Sequence, residues 1–278
     1  MQMTAPNLLD GPQLDDAQLN QVWAQLDLVM DPELDEPVTD MGFIEAVSIT
    51  WPSVGQNTST VHVSFRLPTY WCSPNFAFLM AEGIKRQIEL LPWVGQAVVT
   101  LHDHMAAEEM NAAVNAGASF GSVFADLHPD EDLGALREKF DVKAFQRRQE
   151  VVIKALIAMG FLASEIVAMP RGLLETTELQ DHEAARQKQR YLAILDQKRL
   201  AARPADRAFP TYQGTPIADY GLYMSLLRSV RINMEFSGSL CRGLKQSRYQ
   251  QADLSGAVPI LVDHAPNDLG PNQSHACR

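Results

Sequence analysis

An α+β fold, with a small α-β-β-α-β domain ahead of a mostly helical C-terminal domain, is the class this sequence predicts. Three observations predict it. Thr60 to Leu67 alternates apolar and polar residues as a half-buried strand does, a helix start at Ser73-Pro74 follows it at once, and helical periodicity dominates beyond Met105.

Taken in order, Met1 to Asp15 is polar and holds Pro6, Gly11 and Pro12, so residues 1–15 are expected to form a flexible leader. From Gln18 to Met30 the apolar residues Leu19, Val22, Trp23, Leu26, Val29 and Met30 recur at helical spacing. Pro32 ends that helix by disfavouring helical geometry at Asp31. Asp31 to Gly42 is rich in turn formers, and Phe43 to Trp51 reads as the first strand. Pro52 to Ser59, with Gly55 and Asn57, reads as a hairpin loop into the second strand, where Val61, Val63, Phe65 and Leu67 face one way. Ser73 is placed to cap a helix whose first position is Pro74, and Phe76, Met80, Ile84 and Ile88 give that helix an apolar stripe closed by Leu91. A third strand is expected over Gln96 to His104. The first domain is therefore placed at 16–104 and a helical domain at 105–250, with a flexible tail over 251–278 that contains Cys277. Within the second domain, Glu131 to Phe140 and Asp141 to Met159 read as two helices, and Leu173 to Ala202 as two helices or one partly exposed helix. Tyr220 to Gln246 is helical but interrupted at Ser237-Gly238-Ser239.

Composition narrows the function. A formal net charge of -11 disfavours nucleic acid and anionic membranes, and no run of about 18 apolar residues offers a membrane span. The N-terminus lacks a charged-then-apolar signal pattern, and 3 widely spaced cysteines fit a reducing compartment, so the cytoplasm is expected. Hydrolase, nucleotide-binding and metalloprotease motifs are absent, which argues against an enzyme.

Chemistry centres on Cys72, a thiol set just before a capped helix, where unpaired amides and the helix dipole favour a thiolate; the alternative is a small buried apolar residue. Cys241, placed after the interruption and beside Arg242, is expected in a similar setting. On the third strand His102 and His104 fall on one face and form a conceivable two-histidine platform, with Glu108 and Glu109 a turn later. Cys72, His104, Cys241 and His102 are thus candidate metal ligands, and Cys72 with Cys241 could share one soft site with His104 if the second domain folds back on the first. Asp31 reads as a backbone-capping residue and Glu33 as a solvated turn residue or a partner or metal contact. Lys143, Arg147 and Arg148 read as a solvated helix side or a docking surface.

The segments Asp31-Pro32-Glu33-Leu34, Asp40-Met41-Gly42 and Thr69 followed by Cys72 together resemble the small iron–sulfur cluster assembly domain found in SufT and PaaD. The usual cysteine–proline pair is interrupted here as Cys72-Ser73-Pro74. Phe65 to Cys72, Asp103-His104, Val142 to Glu150 and Glu235 to Leu244 carry a narrower resemblance, to long forms of this domain that accompany bacterial multicomponent di-iron monooxygenases of the propane-oxidising kind. The resemblance implies the same α+β element order and a maturation role. It also implies iron or an iron–sulfur cluster held transiently, with Cys72, Thr69, Asp31 and Glu33 as its contacts. The implied partners are the iron–sulfur assembly machinery and a client metalloenzyme such as a di-iron monooxygenase subunit, with a homodimer left open. A folding or docking adaptor that handles no metal is the alternative, and a cysteine-dependent enzyme with His104 as base is a third.

Overall fold

The structure is a computed structural model that describes residues 16–51, 58–124 and 133–253. The leader, most of the hairpin loop expected over residues 52–59, the start of the segment expected helical from Glu131, and the tail from 254 with Cys277 lie outside the described residues.

Helix α1 (Asp16–Leu26) is shorter than its periodicity predicts, because the next residues commit to a hairpin. Strand β1 (Met30–Asp31) pairs antiparallel with β2 (Glu36–Pro37), and the Val29 carbonyl accepts the Val38 N–H at 2.9 Å. The extended geometry that Pro32 imposes on Asp31 thus spreads backward to Val29. Strands β3 (Ile44–Thr50) and β4 (Ser59–Arg66) pair antiparallel, and β5 (Val94–His102) runs parallel to β4 after the crossover through helix α2 (Pro74–Ile88), so β4 is central. Val61, Val63, Phe65 and Leu67 are buried as the alternation requires, and Met80, Ile84 and Ile88 of α2 cover them.

Helices α3 (Ala107–Ala116) and α4 (Phe120–Phe124) continue the same core past the boundary placed at His104: Met110, Val114, Phe120 and Phe124 all belong to it. Helix α3 also closes the open edge of β5. The side-chain amides of Asn111 and Asn115, one turn apart, each exchange two hydrogen bonds with the strand backbone, Asn111 with Leu101 (2.7 and 3.0 Å) and Asn115 with Val99 (2.9 and 2.8 Å). Unpaired strand groups that would template another chain are thereby used up.

Helix α5 (Leu133–Ala158) is continuous through Asp141, where two helices are expected. It runs from the first core, which Leu133 touches, into a second core. Helices α6 (Ala163–Ala168), α7 (Arg171–Thr176), α8 (His182–Gln197) and the first half of α9 (Tyr220–Asp253) complete that second core around Phe145, Leu156, Tyr191, Leu195, Phe209 and Leu227. Gln149, fully buried, is satisfied there: its amide nitrogen donates to the Tyr191 hydroxyl and the Pro210 carbonyl, and its oxygen accepts from Tyr223. Among the described residues no helix is long and apolar enough to cross a membrane.

The two cores are locked together by charge. Asp35, at φ 52° in the β1–β2 turn and 3 % exposed, receives Arg148 through two guanidinium nitrogens, while Arg147 donates to its carbonyl at 2.8 Å. Arg147 and Arg148 are therefore neither a solvated helix side nor a free docking surface; they clamp α5 onto the first core. Arg186 of α8 adds a longer contact to Asp40 at 3.4 Å.

Candidate functional site

The site begins in the tight turn between β1 and β2. Asp31 Oδ1 accepts the amides of Glu33 and Leu34, each at 2.9 Å, and the turn closes as Asp35 N–H donates to the Asp31 carbonyl at 2.9 Å. Those bonds hold the carboxylate inward, 7 % exposed, with Glu33 half-buried beside it. Burial outweighs the two amides that favour the ionised form, and the charges of Glu33 and Glu36 add to it, so the Asp31 carboxyl is raised to about 6.

Cys72 lies on the loop between β4 and α2. Thr69 fixes it from three residues back, its hydroxyl 3.1 Å from the Cys72 sulfur and its carbonyl accepting the Cys72 amide at 3.4 Å. Pro74 opens the helix as expected, while Ser73 stands at the cap position without a side-chain capping bond. Two exposed aromatics, Tyr70 and Trp71, flank the thiol, Trp71 being 73 % exposed.

His104 supports this loop from below. Its Nδ1 accepts the Ala106 amide at 3.2 Å, so the ring proton sits on Nε2, which donates to the Cys72 carbonyl at 2.8 Å. Burial pushes the imidazole below its ordinary pKa, opposed by the bond to the Cys72 carbonyl, and it is neutral at pH 7. Both nitrogens are engaged in this conformation, which makes His104 a strut for Cys72. The paired histidine platform does not form: β5 stops at His102, and Asp103 adopts φ 54°, which breaks the strand alternation and turns His104 into the core. His102 is left exposed at the strand end opposite Arg66 in the register. Glu108 and Glu109 are exposed in the first turn of α3.

The second half of α9 passes over this region. Arg242 binds Glu36 at 2.6 Å, Lys245 stands 5.7 Å from the Phe43 ring centre, Arg248 binds Asp103 at 2.6 Å, and the Tyr249 hydroxyl donates to the Leu67 carbonyl at 3.2 Å. Gly42, at φ 64°, lets the chain approach: a Cβ there would stand 3.0 Å from the Lys245 amine. Cys241 therefore packs against the first core, as Cys72 does. It is not at a helix start, because α9 runs unbroken through Ser237-Gly238-Ser239. Nor does Arg242 ionise it. Burial foremost, then the charges of Asp31, Cys72 and Glu33, push the Cys241 thiol up to about 11, while the Arg242 guanidinium that opposes them is bound to Glu36.

Of the residues singled out from the sequence, the structure thus groups Asp31, Glu33, Cys72 with Thr69, and Cys241, places His104 beneath Cys72, and leaves His102 in solvent. Among the described residues no three His, Cys, Asp or Glu side chains converge on one point that a metal ion would fill. Two thiols and two carboxylates in one neighbourhood offer both soft and hard donors, a combination that suits iron when side chains rearrange or a second protein completes the set. The sequence did not reveal the Arg148–Asp35 clamp or the Arg242–Glu36 pair, since each joins positions far apart in the chain.

Compared with known proteins, residues 19–99, under a third of the chain and running from α1 into β5, match the family model described as iron-sulfur cluster assembly protein. A search of curated proteins finds no match.

Proposed function

We propose that this chain is a maturation factor that carries iron, or a nascent iron–sulfur cluster, to a metalloenzyme client. The cargo is held between the Cys72 and Cys241 thiolates with Asp31 and Glu33 alongside. The observation that carries this reading is that two thiols from distant parts of the chain pack on one core and that the charge of one acts on the other. Cys72 comes from the segment matching an iron–sulfur assembly family, Cys241 comes from a helix outside it, and both pack on the same core next to a carboxylate of raised pKa. Perturbed titratable groups that cluster without an ion between them are a mark of functional sites. A site short of a full ligand set suits a carrier, because the client supplies the missing donors and completes the transfer. Exposed Tyr70 and Trp71 beside Cys72 give such a client an apolar surface to meet. A di-iron monooxygenase subunit is the client that the sequence resemblance implies, and the free thiols suit a reducing cytoplasm.

The test is anaerobic loading with ferrous iron, with and without sulfide, read by elemental analysis and absorption on the wild type and on Cys72→Ser, Cys241→Ser and Cys277→Ser. Cys72→Ser and Cys241→Ser are expected to fold normally and lose the metal, and Cys277→Ser to keep it. Equal loading of all four proteins would refute the two-thiol site. A wild type that takes up no iron, yet is needed for an active client, would point to the docking adaptor.

A further inference from the structure

Helix α9 leaves one long strip uncovered. Its inner face is used up: Leu227 and Met234 are buried, Arg231 reaches Glu150 at 3.0 Å, and Cys241 and Arg242 lie on the first core. On the opposite face the positions spaced four and three apart from Leu222 to Ser247 are all exposed, with Leu222 and Phe236 each at 72 %. At 1.5 Å per residue the strip is about 38 Å long. It carries the spacing of a coiled-coil seam, and no charge stands in it or in the positions that flank it. The charged residues of this stretch, Arg228, Arg231, Glu235, Arg242 and Lys245, all fall on the other sides of the helix. In a protein of net charge -11, an uncharged strip of this length that carries Leu222, Leu226, Phe236 and Leu240 escapes the like-charge repulsion that keeps identical chains apart.

The order of residues along the strip favours one arrangement. When two copies of α9 are laid antiparallel about a two-fold axis midway between Asn233 and Phe236, Phe236 meets Asn233 of the second copy and Leu240 meets Ser229. In the same register Leu226 meets Gly243 and Leu222 meets Ser247. Every layer sets a large side chain against a small or polar one, which is how closely packed helices fill space without voids. A parallel pairing would stack Phe236 on Phe236 and leave Gly243 facing Gly243, crowding one layer and emptying another. The antiparallel two-fold also makes the contact isologous, so it closes at two copies. An apolar groove of about 550 Å³, bordered by Ile217, Leu222, Tyr223 and Leu226, continues the strip at its N-terminal end, where the far end of the second helix crosses.

We propose that this strip is the interface between two copies of the chain, joined through antiparallel α9 helices. The inference does not rest on the iron-carrying function and fails or stands independently of it. Light scattering on the eluting full-length chain is expected to give twice the 30.8 kDa mass of one chain. The exposed substitutions Leu226→Glu and Leu240→Glu, made together, are expected to halve that mass with an unchanged circular dichroism spectrum. Orientation is read in a chain whose cysteines are replaced by serine. There a mixture of Leu240→Cys and Ser229→Cys chains, which face each other in this register, is expected to form the mixed intermolecular disulfide with a mild oxidant, and Leu240→Cys on its own is not. A monomeric wild type, a dimer indifferent to the two glutamates, or a Leu240→Cys chain that cross-links as well on its own as with Ser229→Cys would each overturn the proposal.

Discussion

Asp31→Asn separates the charge of the candidate site from the geometry of its turn. Asparagine keeps an oxygen for the Glu33 and Leu34 amides, so the turn survives, while the buried negative charge disappears. The rise of the Asp31 carboxyl from 3.8 to about 6 corresponds to about 3 kcal/mol of penalty on the ionised folded state. The pH at which that penalty acts follows from linkage. At pH 7 Asp31 is ionised in the folded and unfolded chain, and the penalty is expressed in full. As pH falls through 6 the folded carboxyl takes up its proton first and stability rises; below 3.8 both states are neutral and the penalty is gone. The penalty of about 3 kcal/mol is already net of the two amide bonds, so Asp31→Asn, which stands in for the neutral carboxyl, is more stable than the wild type at pH 7 by about that much. At about 2–4 °C per kcal/mol for a chain of this size, that is a rise of several degrees in Tm. Urea denaturation of both proteins at pH 7 and at pH 4 measures it, and the difference between them must shrink at the lower pH. An Asp31→Asn protein less stable than the wild type at pH 7, or a difference that ignores pH, would refute the assignment of Asp31 as a charge held against its own preference.

Arg148→Ala leaves the Asp35 carboxylate, 3 % exposed, with only the longer Arg147 contact at 3.8 Å, and loss of the main partner of a buried pair costs about 3 kcal/mol. Because this pair ties α5 to the β1–β2 turn, limited proteolysis should cut the variant between the two cores well before it cuts the wild type; equal protection would show that the clamp is dispensable. His104→Ala removes the bond to the Cys72 carbonyl and the one accepted from the Ala106 amide, and should cost about 2 kcal/mol in urea melts at pH 7.5. Because the unfolded histidine binds a proton below pH 6.5 that the folded one resists, the stability gap between the wild type and His104→Ala should shrink as pH falls from 7.5 to 5.5, while Asp31 contributes equally to both proteins. A variant with the same slope between pH 5.5 and pH 7.5 would assign the proton uptake to other groups.

The parts of the fold that a sequence displays are those set by neighbours. Alternation from Val61 to Leu67 and the stripe Met80, Ile84, Ile88 are periodicities, and both fell on the core as expected. Single backbone angles carry no such signal: φ 54° at Asp103 is what separates His102 from His104, and strand pattern alone places them together. Gly238 shows the opposite failure. Read locally, Ser237-Gly238-Ser239 is a helix breaker, yet the absent Cβ leaves a slot that the Arg242 guanidinium occupies, 3.2 Å from where that Cβ would be, on its way to Glu36. The glycine is spent on packing, and the helix continues. Likewise the pair Arg147-Arg148 looks like a solvated face until the turn that presents Asp35, more than a hundred residues earlier, is folded against it.

Asp31 and Cys241 are shifted for one reason: their neighbourhood is buried and rich in negative charge, and Arg242, the cation that opposes the shift at Cys241, is already bound to Glu36. A bound divalent cation relieves both at once, and the relief is measurable as protons. With its thiol at about 11, Cys241 holds a proton throughout the neutral range and must release it to ligate. Its share of the apparent affinity for ferrous iron therefore rises about tenfold per pH unit between pH 7 and pH 9. Below pH 6 Asp31 adds a second proton to be displaced, and affinity falls more steeply. Anaerobic titration calorimetry in buffers of different ionisation enthalpy counts the protons directly. Removing the thiol in Cys241→Ser should lower the count at pH 8 by one. If the wild type and Cys241→Ser release the same number of protons per iron, Cys241 is no ligand, and the raised thiol reports only its burial beside Asp31 and Glu33.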